Sequence, residues 1–270
     1  MILQASDATH PGLVRQNNED AVASCIPDDP ASLAAKGALF AIADGVGGAA
    51  AGEVASRAAL DALLAEYYSP RAPHQIEAAL RQAMQAANLR VFNLAHGKEA
   101  ELHGMLTTLT AVALAGQQAY VAHAGDSRAY LCRDGRLTQL TADHSEAAEL
   151  LRLRLITPEQ ARNHPRRNVL TRTLGNNLLM RPDFSRHPLQ PEDRLLLCTD
   201  GLWGEVEHDL LAAQVALDPE EACRRLLDLA CERGGGDNIS VHVIRIVELG
   251  TAAPVATGRI ARLLAGLRGG

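Results

Sequence analysis

The sequence predicts an α+β fold in which helices cover antiparallel β-sheets. Short runs rich in Val, Thr, Leu and Tyr are separated from paired amphipathic segments, and Ala-Gly, Gly-Asp and Asp-Gly pairs interrupt the runs as hairpin turns do. The regular strand-helix-strand alternation typical of a parallel sheet is missing. With 270 residues, 47% of them hydrophobic and 21% charged, the chain is long enough to bury a large core.

The first half predicts one buried strand, two helices and a series of hairpins. Residues 38–44, ALFAIAD, form a continuous apolar run, as in a strand that is covered on both faces. Glu53 to Tyr68 and Ile76 to Leu94 carry apolar residues at helical spacing and are rich in good helix formers. From residue 105, the sequence MLTTLTAVALAGQQAYVAHAGDSRAYLCRDGRLTQLT predicts an antiparallel meander.

The second half predicts a polar helical segment at 145–168, a strand in DRLLLCTDG at 193–201 and a last strand in NISVHVIRIVEL at 238–249. Between these strands, residues 207–233 form two short helices, because LDPEE is a helix-start signal. No linker is found before residue 250, so residues 1–249 are predicted to form one domain. The basic tail at 250–270 has apolar residues at helical spacing, which favours a weak terminal helix over one that binds a membrane or a partner.

Composition excludes several classes of protein. The net charge of −6 argues against a nucleic-acid-binding surface. No signal peptide and no apolar run of transmembrane length is present, so we expect a cytoplasmic protein without a transmembrane segment. We also expect a monomer. An odd number of cysteines without a CxxC pair argues against a disulfide framework or a zinc site and predicts buried thiols in a reducing compartment. These cysteines are Cys25, Cys132, Cys198, Cys223 and Cys231.

Five aspartates occupy predicted strand ends, strand starts and hairpins. Asp44 and Asp200 end two apolar runs, each directly before a glycine. Asp20 and Asp237 come just before strand starts, and Asp126 lies in a hairpin region. Because a strand end and a neighbouring strand start share one edge of an antiparallel sheet, the carboxylates converge if their strands are neighbours. Converging anions repel one another unless cations lie between them, so convergence predicts metal.

The donor chemistry narrows the choice of metal. Oxygen ligands without a His or Cys cluster favour Mg²⁺ or Mn²⁺ over zinc or copper, and the glycine after Asp44 would let the Gly45 carbonyl act as a ligand. Arg15, in RQNNED at 15–20, is suited to gripping a phosphate beside such ions. Taken singly, an Asp-Gly pair is a common turn, and Arg15 is better explained as a surface arginine paired with an acid.

Together these motifs resemble the metal-dependent serine/threonine protein phosphatases of the type 2C family, in particular its compact bacterial members. Their order along residues 1–247 is that of the family, and order across a domain carries weight that one short motif lacks. The resemblance implies a four-layer αββα sandwich, two antiparallel sheets flanked by helices, with the metal site at one end. The motifs are RQNNED (15–20), ADGVGG (43–48), TTLTAVAL (107–114), GDSR (125–128), DHS (143–145), HPRRNVLTRTLG (164–175), CTDGLWG (198–204) and GGDNIS (235–240).

The resemblance also implies a ligand set for two Mn²⁺ or Mg²⁺ ions. Asp44 would bridge the ions, and the Gly45 carbonyl would bind one of them. Asp200 and Asp237 would complete the shell of the second ion. Asp126 matches the position that bacterial members use, together with that of Asp200, to hold a third and weaker ion.

For catalysis, the resemblance implies that Glu19 and Asp20 orient water, with Asp20 acting on the water that bridges the ions, and that Arg15 holds the substrate phosphate. Attack by this water would be direct and in line, without a phosphoenzyme. The implied function is dephosphorylation of phosphoserine and phosphothreonine in proteins, opposing a bacterial Ser/Thr kinase. Two alternatives stay open: a pseudophosphatase-type module that binds phosphoproteins without turning them over, and a hydrolase of small phosphomonoesters.

Overall fold

The computed structural model describes residues 1–46 and 50–250, in which two antiparallel β-sheets pack face to face and helices cover their outer faces. The first sheet has the spatial order β1-β11-β10-β7-β8. Its strands are β1 (Ile2–His10), β7 (Arg128–Arg133), β8 (Arg136–Gln139), β10 (Arg194–Cys198) and β11 (Ile239–Glu248).

The second sheet has the order β2-β3-β5-β6-β9, and the two-residue strand β4 pairs with the end of β3. Its neighbouring strands pair antiparallel throughout. The strands are β2 (Asp20–Cys25), β3 (Ala38–Val46), β4 (Leu106–Thr107), β5 (Leu109–Ala115), β6 (Gln118–Ala124) and β9 (Asp183–Pro188).

Helices cover the outer faces of both sheets. α2 and α3 pack on the second sheet, while α7 and α8 pack on the first. Two short helices, α4 and α5, lie in the segment between β8 and β9. The helices are α1 (Pro30–Lys36), α2 (Ala50–Tyr67), α3 (Ile76–Ala95), α4 (Glu146–Arg152), α5 (Pro158–Arg162), α6 (Asp200–Trp203), α7 (His208–Val215) and α8 (Pro219–Glu232).

Strand β3 connects two hydrophobic layers. Phe40 and Ile42 point into the layer between the two sheets, together with Leu197 and Ile244 of the first sheet. The alternate residues of β3, among them Leu39, pack under α2 and α3. Both faces of β3 are therefore buried, which is why its sequence is a continuous apolar run rather than an alternating one.

Most predicted elements are confirmed, including the strand at 38–44, both long helices, the short helices of 207–233 and the final strand. The single meander is wrong. β5–β6 and β7–β8 are two hairpins in different sheets, and the chain crosses between the sheets at residues 125–127. Gly125 makes this crossing with φ +116°, and a Cβ at that position would lie 2.5 Å from the side chain of Thr108.

The structure also corrects the cysteine prediction and leaves one segment open. All five cysteines are free, but only Cys132, Cys198 and Cys223 are buried, while Cys25 and Cys231 are half-buried. The tail at 251–270, predicted as a weak basic helix, lies outside the described residues. Among the helices of the described ranges, none combines the length and the apolar character that crossing a bilayer requires.

Two buried imidazoles form hydrogen bonds inside the fold, and that of His242 joins the two sheets. The Nε2 atom of His242 on β11 lies 3.2 Å from the Ala41 carbonyl on β3. On β6, His123 bonds the Thr110 hydroxyl through Nδ1 at 2.8 Å and lies 3.2 Å from the Ala142 carbonyl through Nε2. Burial lowers the pKa of His123 to about 3, and the stacked ring of His144 adds to this effect. The fold therefore requires a neutral His123.

His123 makes the fold sensitive to acid. Because its pKa is lower in the folded chain than the ordinary value near 6.5, its stabilising contribution is complete above pH 6.5 and is lost as pH falls toward 3. Between pH 7 and pH 5, we expect the free energy of unfolding to fall by about 2 kcal/mol less in His123→Gln than in the wild type. Urea unfolding at both pH values measures this. His74→Gln, at an exposed position, is the control. If the free energy of unfolding falls equally in all three proteins between pH 7 and pH 5, the prediction is contradicted.

Candidate active site

Two aspartates face each other across the first pair of strands in the second sheet. Asp20 opens β2 and is the register partner of Asp44, near the end of β3. Like charges directly opposite in an antiparallel pair destabilise it, so this register is unfavourable without a compensating cation. Asp20 is 5% exposed, while Asp44 is half-buried and lines a cleft.

The backbone of Asp44 is fixed by the neighbouring TTLT motif. The Asp44 amide donates to the Thr108 hydroxyl at 2.9 Å, and the Asp44 carbonyl accepts from the Thr108 amide at 2.8 Å. The Thr107 hydroxyl donates to the same carbonyl at 2.9 Å. These three bonds hold the end of β3 rigidly, so the carboxylate is presented from a fixed position.

The other two aspartates come from the first sheet. Asp200 lies two residues after the end of β10 and begins α6, and Asp237 lies two residues before β11, the antiparallel neighbour of β10. Both line the same cleft as Asp44, so the two sheets deliver carboxylates to one end of the sandwich, as the sequence predicted. The cleft has a volume of about 570 Å³ and is lined by Arg15, Gln16, Asn17, Glu19, Asp44, Gly45, Val46, Asn168, Leu170, Asp200, Asp237 and Asn238.

The carboxylates of this cluster are crowded together, and their negative charges repel one another. Burial, followed by repulsion from Asp20 and Asp200, raises the pKa of Asp44 well above its ordinary value. Burial raises the pKa of Asp20 to about 7, although a hydrogen bond from Thr199 opposes the shift. For Asp200, burial and the neighbouring Asp237 raise the pKa to about 6. Each carboxylate is thus harder to ionise because of the others, and cations would relieve all of them together.

Of the two carboxylate oxygens of Asp20, one has a hydrogen-bond partner among the described residues and the other has none. Oδ2 accepts a hydrogen bond from the Thr199 hydroxyl at 2.8 Å. Oδ1 is the one buried side-chain nitrogen or oxygen without a hydrogen-bond partner in residues 1–46 and 50–250. An unsatisfied buried oxygen costs free energy, and such an atom needs a cation or a bound molecule beside it to be explained.

Arg15 and Glu19 lie on the loop between β1 and β2. Arg15 is mostly exposed and forms an ion pair with Asp237 at 2.7 Å. Burial raises the pKa of Glu19, and the Arg15 guanidinium opposes that shift. The Glu19 carboxylate lies close to Gly52 in α2, where a Cβ would be 2.3 Å from Oε2. Arg15 therefore reaches the aspartate cluster, while Glu19 borders it from the side of α2.

Gly45 is required by packing as well as by its place in the cleft. A Cβ at this position would lie 2.1 Å from the Gly52 carbonyl oxygen and 2.7 Å from that of Glu19. Three backbone segments thus meet where only glycine fits. Asp126 is 5% exposed and lies in the crossing between β6 and β7, outside the lining of the cleft. Burial, with Asp200 as the leading charged neighbour, raises the pKa of Asp126 well above its ordinary value.

The donor set fits hard divalent cations. It consists of carboxylate oxygens, it is crowded and half-buried, and it leaves Oδ1 of Asp20 unsatisfied. In the described part of the chain, no group of three or more His, Cys, Asp or Glu side chains is already arranged to hold an ion. Asp237 forms an ion pair with Arg15, so binding of a cation by Asp237 would require this ion pair to separate.

Sequence reasoning missed the residues that support the cluster. Asn238 is 7% exposed and accepts from the Glu19 amide at 2.8 Å. Its Nδ2 donates to the carbonyls of Pro11 and Asn17, both at 2.9 Å. One side chain thus joins the loop carrying Arg15 and Glu19 to the residue after Asp237. The only signal in the sequence was the amide that follows Asp237 in GGDNIS.

The chain is similar to protein phosphatases along most of its length. A family model described as protein phosphatase 2C matches residues 6–239. Serine/threonine protein phosphatase PstP of Mycobacterium tuberculosis is 37% identical over 263 residues, which is 96% of this chain and 48% of PstP, so the chain spans about half the length of that relative. A putative protein phosphatase 2C-type of Streptococcus pyogenes is 36% identical over 248 residues, with 90% of this chain and 97% of the relative covered.

A solved structure agrees with the architecture. The crystal structure of the catalytic domain of PstP in complex with two manganese ions superimposes with a TM-score of 0.78 at 36% identity, covering 91% of this chain and 99% of that one. The fold predicted from the sequence, two antiparallel sheets flanked by helices, is therefore confirmed.

The repulsion within the cluster predicts how the metal-free protein responds to pH. Because Asp20, Asp44 and Asp200 have raised pKa values when folded, their contribution to stability is complete below the unfolded value near 4 and is lost as pH rises, through about 7 for Asp20 and about 6 for Asp200. In EDTA, we expect Asp44→Asn to be more stable than the wild type by about 1 to 2 kcal/mol at pH 7.5 and by less at pH 5. Urea unfolding measures both. A less stable variant at pH 7.5 would contradict the prediction.

The substitution that should stabilise the metal-free protein should also weaken its binding of metal. We expect Asp44→Asn to weaken Mn²⁺ binding at least tenfold, because an amide oxygen without a full charge replaces the central carboxylate. Titration calorimetry on protein stripped of metal measures the affinity. Asp61→Asn, at an exposed position on α2, is the matched control and should bind Mn²⁺ like the wild type. Equal affinities in all three proteins would place the metal elsewhere.

Proposed function

The chain belongs to the protein phosphatase 2C family, and we propose that it is a metal-dependent phosphatase that removes phosphate from phosphoserine and phosphothreonine residues of proteins. The single observation that carries this proposal is the meeting of Asp20, Asp44, Asp200 and Asp237 at one end of the sandwich, contributed by both sheets. Arg15 lines the same cleft, and its guanidinium is paired with the Asp237 carboxylate.

We assign the catalytic domain to residues 1–249 and treat 250–270 as an appended tail. The family match over 6–239 and the position of the last strand, which ends at Glu248, support the first boundary.

The metal ligands we propose are Asp44, the Gly45 carbonyl, Asp200 and Asp237 for two Mn²⁺ or Mg²⁺ ions. The PstP catalytic domain, a relative in fold and sequence, was crystallised with two manganese ions, which supports this number. Asp126 lies beside Asp200 and is our candidate ligand for a third ion. When bound, divalent ions of this kind supply Lewis acidity, neutralise the carboxylates and phosphoryl oxygens, and make water more acidic.

The chain's own residues then have separate tasks. Arg15 would release Asp237 and bind two phosphoryl oxygens through its planar fork, which fixes the phosphorus in the cleft. Asp20 would accept a proton from the attacking water while the oxygen of that water bonds to phosphorus, and the serine or threonine oxygen would leave from the opposite side and take up a proton from solvent. Glu19 would orient water from the side of α2. Charge stabilisation by this preorganised site supplies most of the rate enhancement.

The proposed substrates and partners follow from the family. Phosphorylated proteins would be the substrates, and a bacterial Ser/Thr kinase would supply them by the opposite reaction. We propose a monomer, because one chain contributes every residue of the cleft.

Hydrolysis of a phosphothreonine peptide tests the proposed function. We expect turnover that requires Mn²⁺ or Mg²⁺, stops in EDTA, and falls at least 100-fold in Asp44→Asn and Asp200→Asn, because both substitutions remove ligand charge. Phosphate release measures the rates, and circular dichroism checks that each variant is folded. Asp61→Asn again serves as the matched control.

Three results would contradict the proposal. Retained activity in both ligand variants would exclude the aspartate cluster as the catalytic centre. No turnover from a folded wild-type protein with bound Mn²⁺ would favour the binding-module alternative, and turnover of sugar phosphates in preference to phosphopeptides would favour a small-molecule hydrolase.

A further inference from the structure

A threonine hydroxyl holds Asp20 in one orientation. Thr199 is completely buried at the junction between β10 and α6, next to Asp200 in the sequence. Its Oγ1 donates to Oδ2 of Asp20 at 2.8 Å and accepts from the Ser240 amide at 3.0 Å. The Thr199 amide in turn donates to the Ser240 carbonyl at 3.2 Å. The hydroxyl therefore joins the first sheet to the carboxylate that opens the second.

The direction of these bonds is fixed by chemistry. An amide N–H is always a donor, so the Ser240 amide occupies an acceptor position of the Thr199 hydroxyl. When Asp20 is ionised, as a proton acceptor must be, its Oδ2 can only accept, so the hydroxyl proton of Thr199 is directed to it. Oδ2 is thereby committed, and Oδ1, the atom without a partner, is the oxygen of Asp20 that remains available.

Thr199 is part of a closed ring of hydrogen bonds through both sheets, the polar ring, made of Thr9, Asn18, Asp20, Thr199 and Ser240. The Ser240 and Thr9 hydroxyls lie 2.7 Å apart, and Asn18 donates to the Thr9 hydroxyl at 2.7 Å. The Asp20 amide closes the ring by donating to the Asn18 side chain at 3.2 Å. Both the backbone and the carboxylate of Asp20 are thus held by the polar ring.

A purely local role for Thr199 does not account for the geometry. It occupies the N-cap position of α6, where a threonine hydroxyl ordinarily accepts from a backbone amide of the first helical turn. Its side chain makes no such bond. The hydroxyl is directed instead to a carboxylate 179 residues away in the sequence.

We propose that Thr199 is a positioning residue, which fixes the Asp20 carboxylate through Oδ2 and reserves Oδ1 to accept the proton of the attacking water. The inference rests on the proposed function and adds to it the residue that aims the base. Thr199 is completely buried and does not line the cleft, so its effect on the reaction passes through Asp20.

Kinetics of Thr199→Val test this role, because valine keeps the shape of threonine and removes only the hydroxyl. We expect kcat on a phosphothreonine peptide to fall about 10- to 100-fold, since a misaligned base loses part of the 10²- to 10⁴-fold effect of proton transfer. The KM and the Mn²⁺ dissociation constant from calorimetry should stay within about threefold. Thr199→Ser, which restores the hydroxyl, should recover most of kcat.

Thr141→Val is the matched control. Thr141 also uses its hydroxyl inside the fold, as the acceptor for the Ala129 amide at 3.2 Å, but it does not line the cleft. Its kcat should equal that of the wild type. If Thr199→Val does not fold, Thr199→Ala removes the same hydroxyl with a smaller side chain. Full kcat in a folded Thr199→Val or Thr199→Ala would overturn the proposal.

A double-mutant cycle separates positioning from a general loss of structure. If Thr199 acts through Asp20, Thr199→Val adds less than threefold to the loss caused by Asp20→Asn. Independent, multiplying losses would overturn the proposal.

A crystal structure of metal-free Thr199→Val distinguishes failure of this inference from failure of the proposed function. We expect the Asp20 carboxylate to rotate or to adopt two conformations. An unchanged carboxylate would overturn the role of Thr199 whatever the activity of the wild type, whereas an inactive wild type with bound Mn²⁺ would overturn the proposed function alone.

Discussion

The site depends on one unfavourable interaction, the repulsion among aspartates that the two sheets bring to the same end of the sandwich. Asp20 faces Asp44 across β2 and β3, and Asp200 and Asp237 approach from β10 and β11. Asp200 and Asp237 raise the pKa of Asp20, and all three of these carboxylates raise the pKa of Asp44. A fold that retains such a cluster must offset its cost by packing elsewhere, and it gains a place where divalent cations are strongly favoured.

The surrounding scaffold resists the movement that this repulsion would cause. Thr107 and Thr108 hold the backbone of Asp44, and Asn238 ties the Arg15 loop to the start of β11. Thr199 holds the carboxylate of Asp20. These bonds connect segments far apart in the sequence, so the geometry of the cluster is a property of the assembled sandwich. The Arg15–Asp237 ion pair does not hold the cluster in place in this way. It lies at the surface and is exposed enough to exchange partners.

The sequence predicted the parts whose signals are local. β3 was recognisable because both of its faces are buried, and Asp44 and Asp200 because each ends an apolar run before a glycine. β9 was missed because DFSRHP is a polar edge strand, and the crossing between sheets at Gly125 was missed because hairpin signals do not say which sheet a strand joins. The roles of Thr199 and Asn238 depend on partners 179 and 219 residues away and leave no local pattern.

Anomalous diffraction from crystals soaked in Mn²⁺ tests most directly whether the aspartate cluster exists to hold cations. The account predicts two strong manganese peaks in the cleft beside Asp44, Asp200 and Asp237, with Arg15 released from Asp237. Crystals without manganese in the cleft, or with manganese only at other carboxylates, would contradict it.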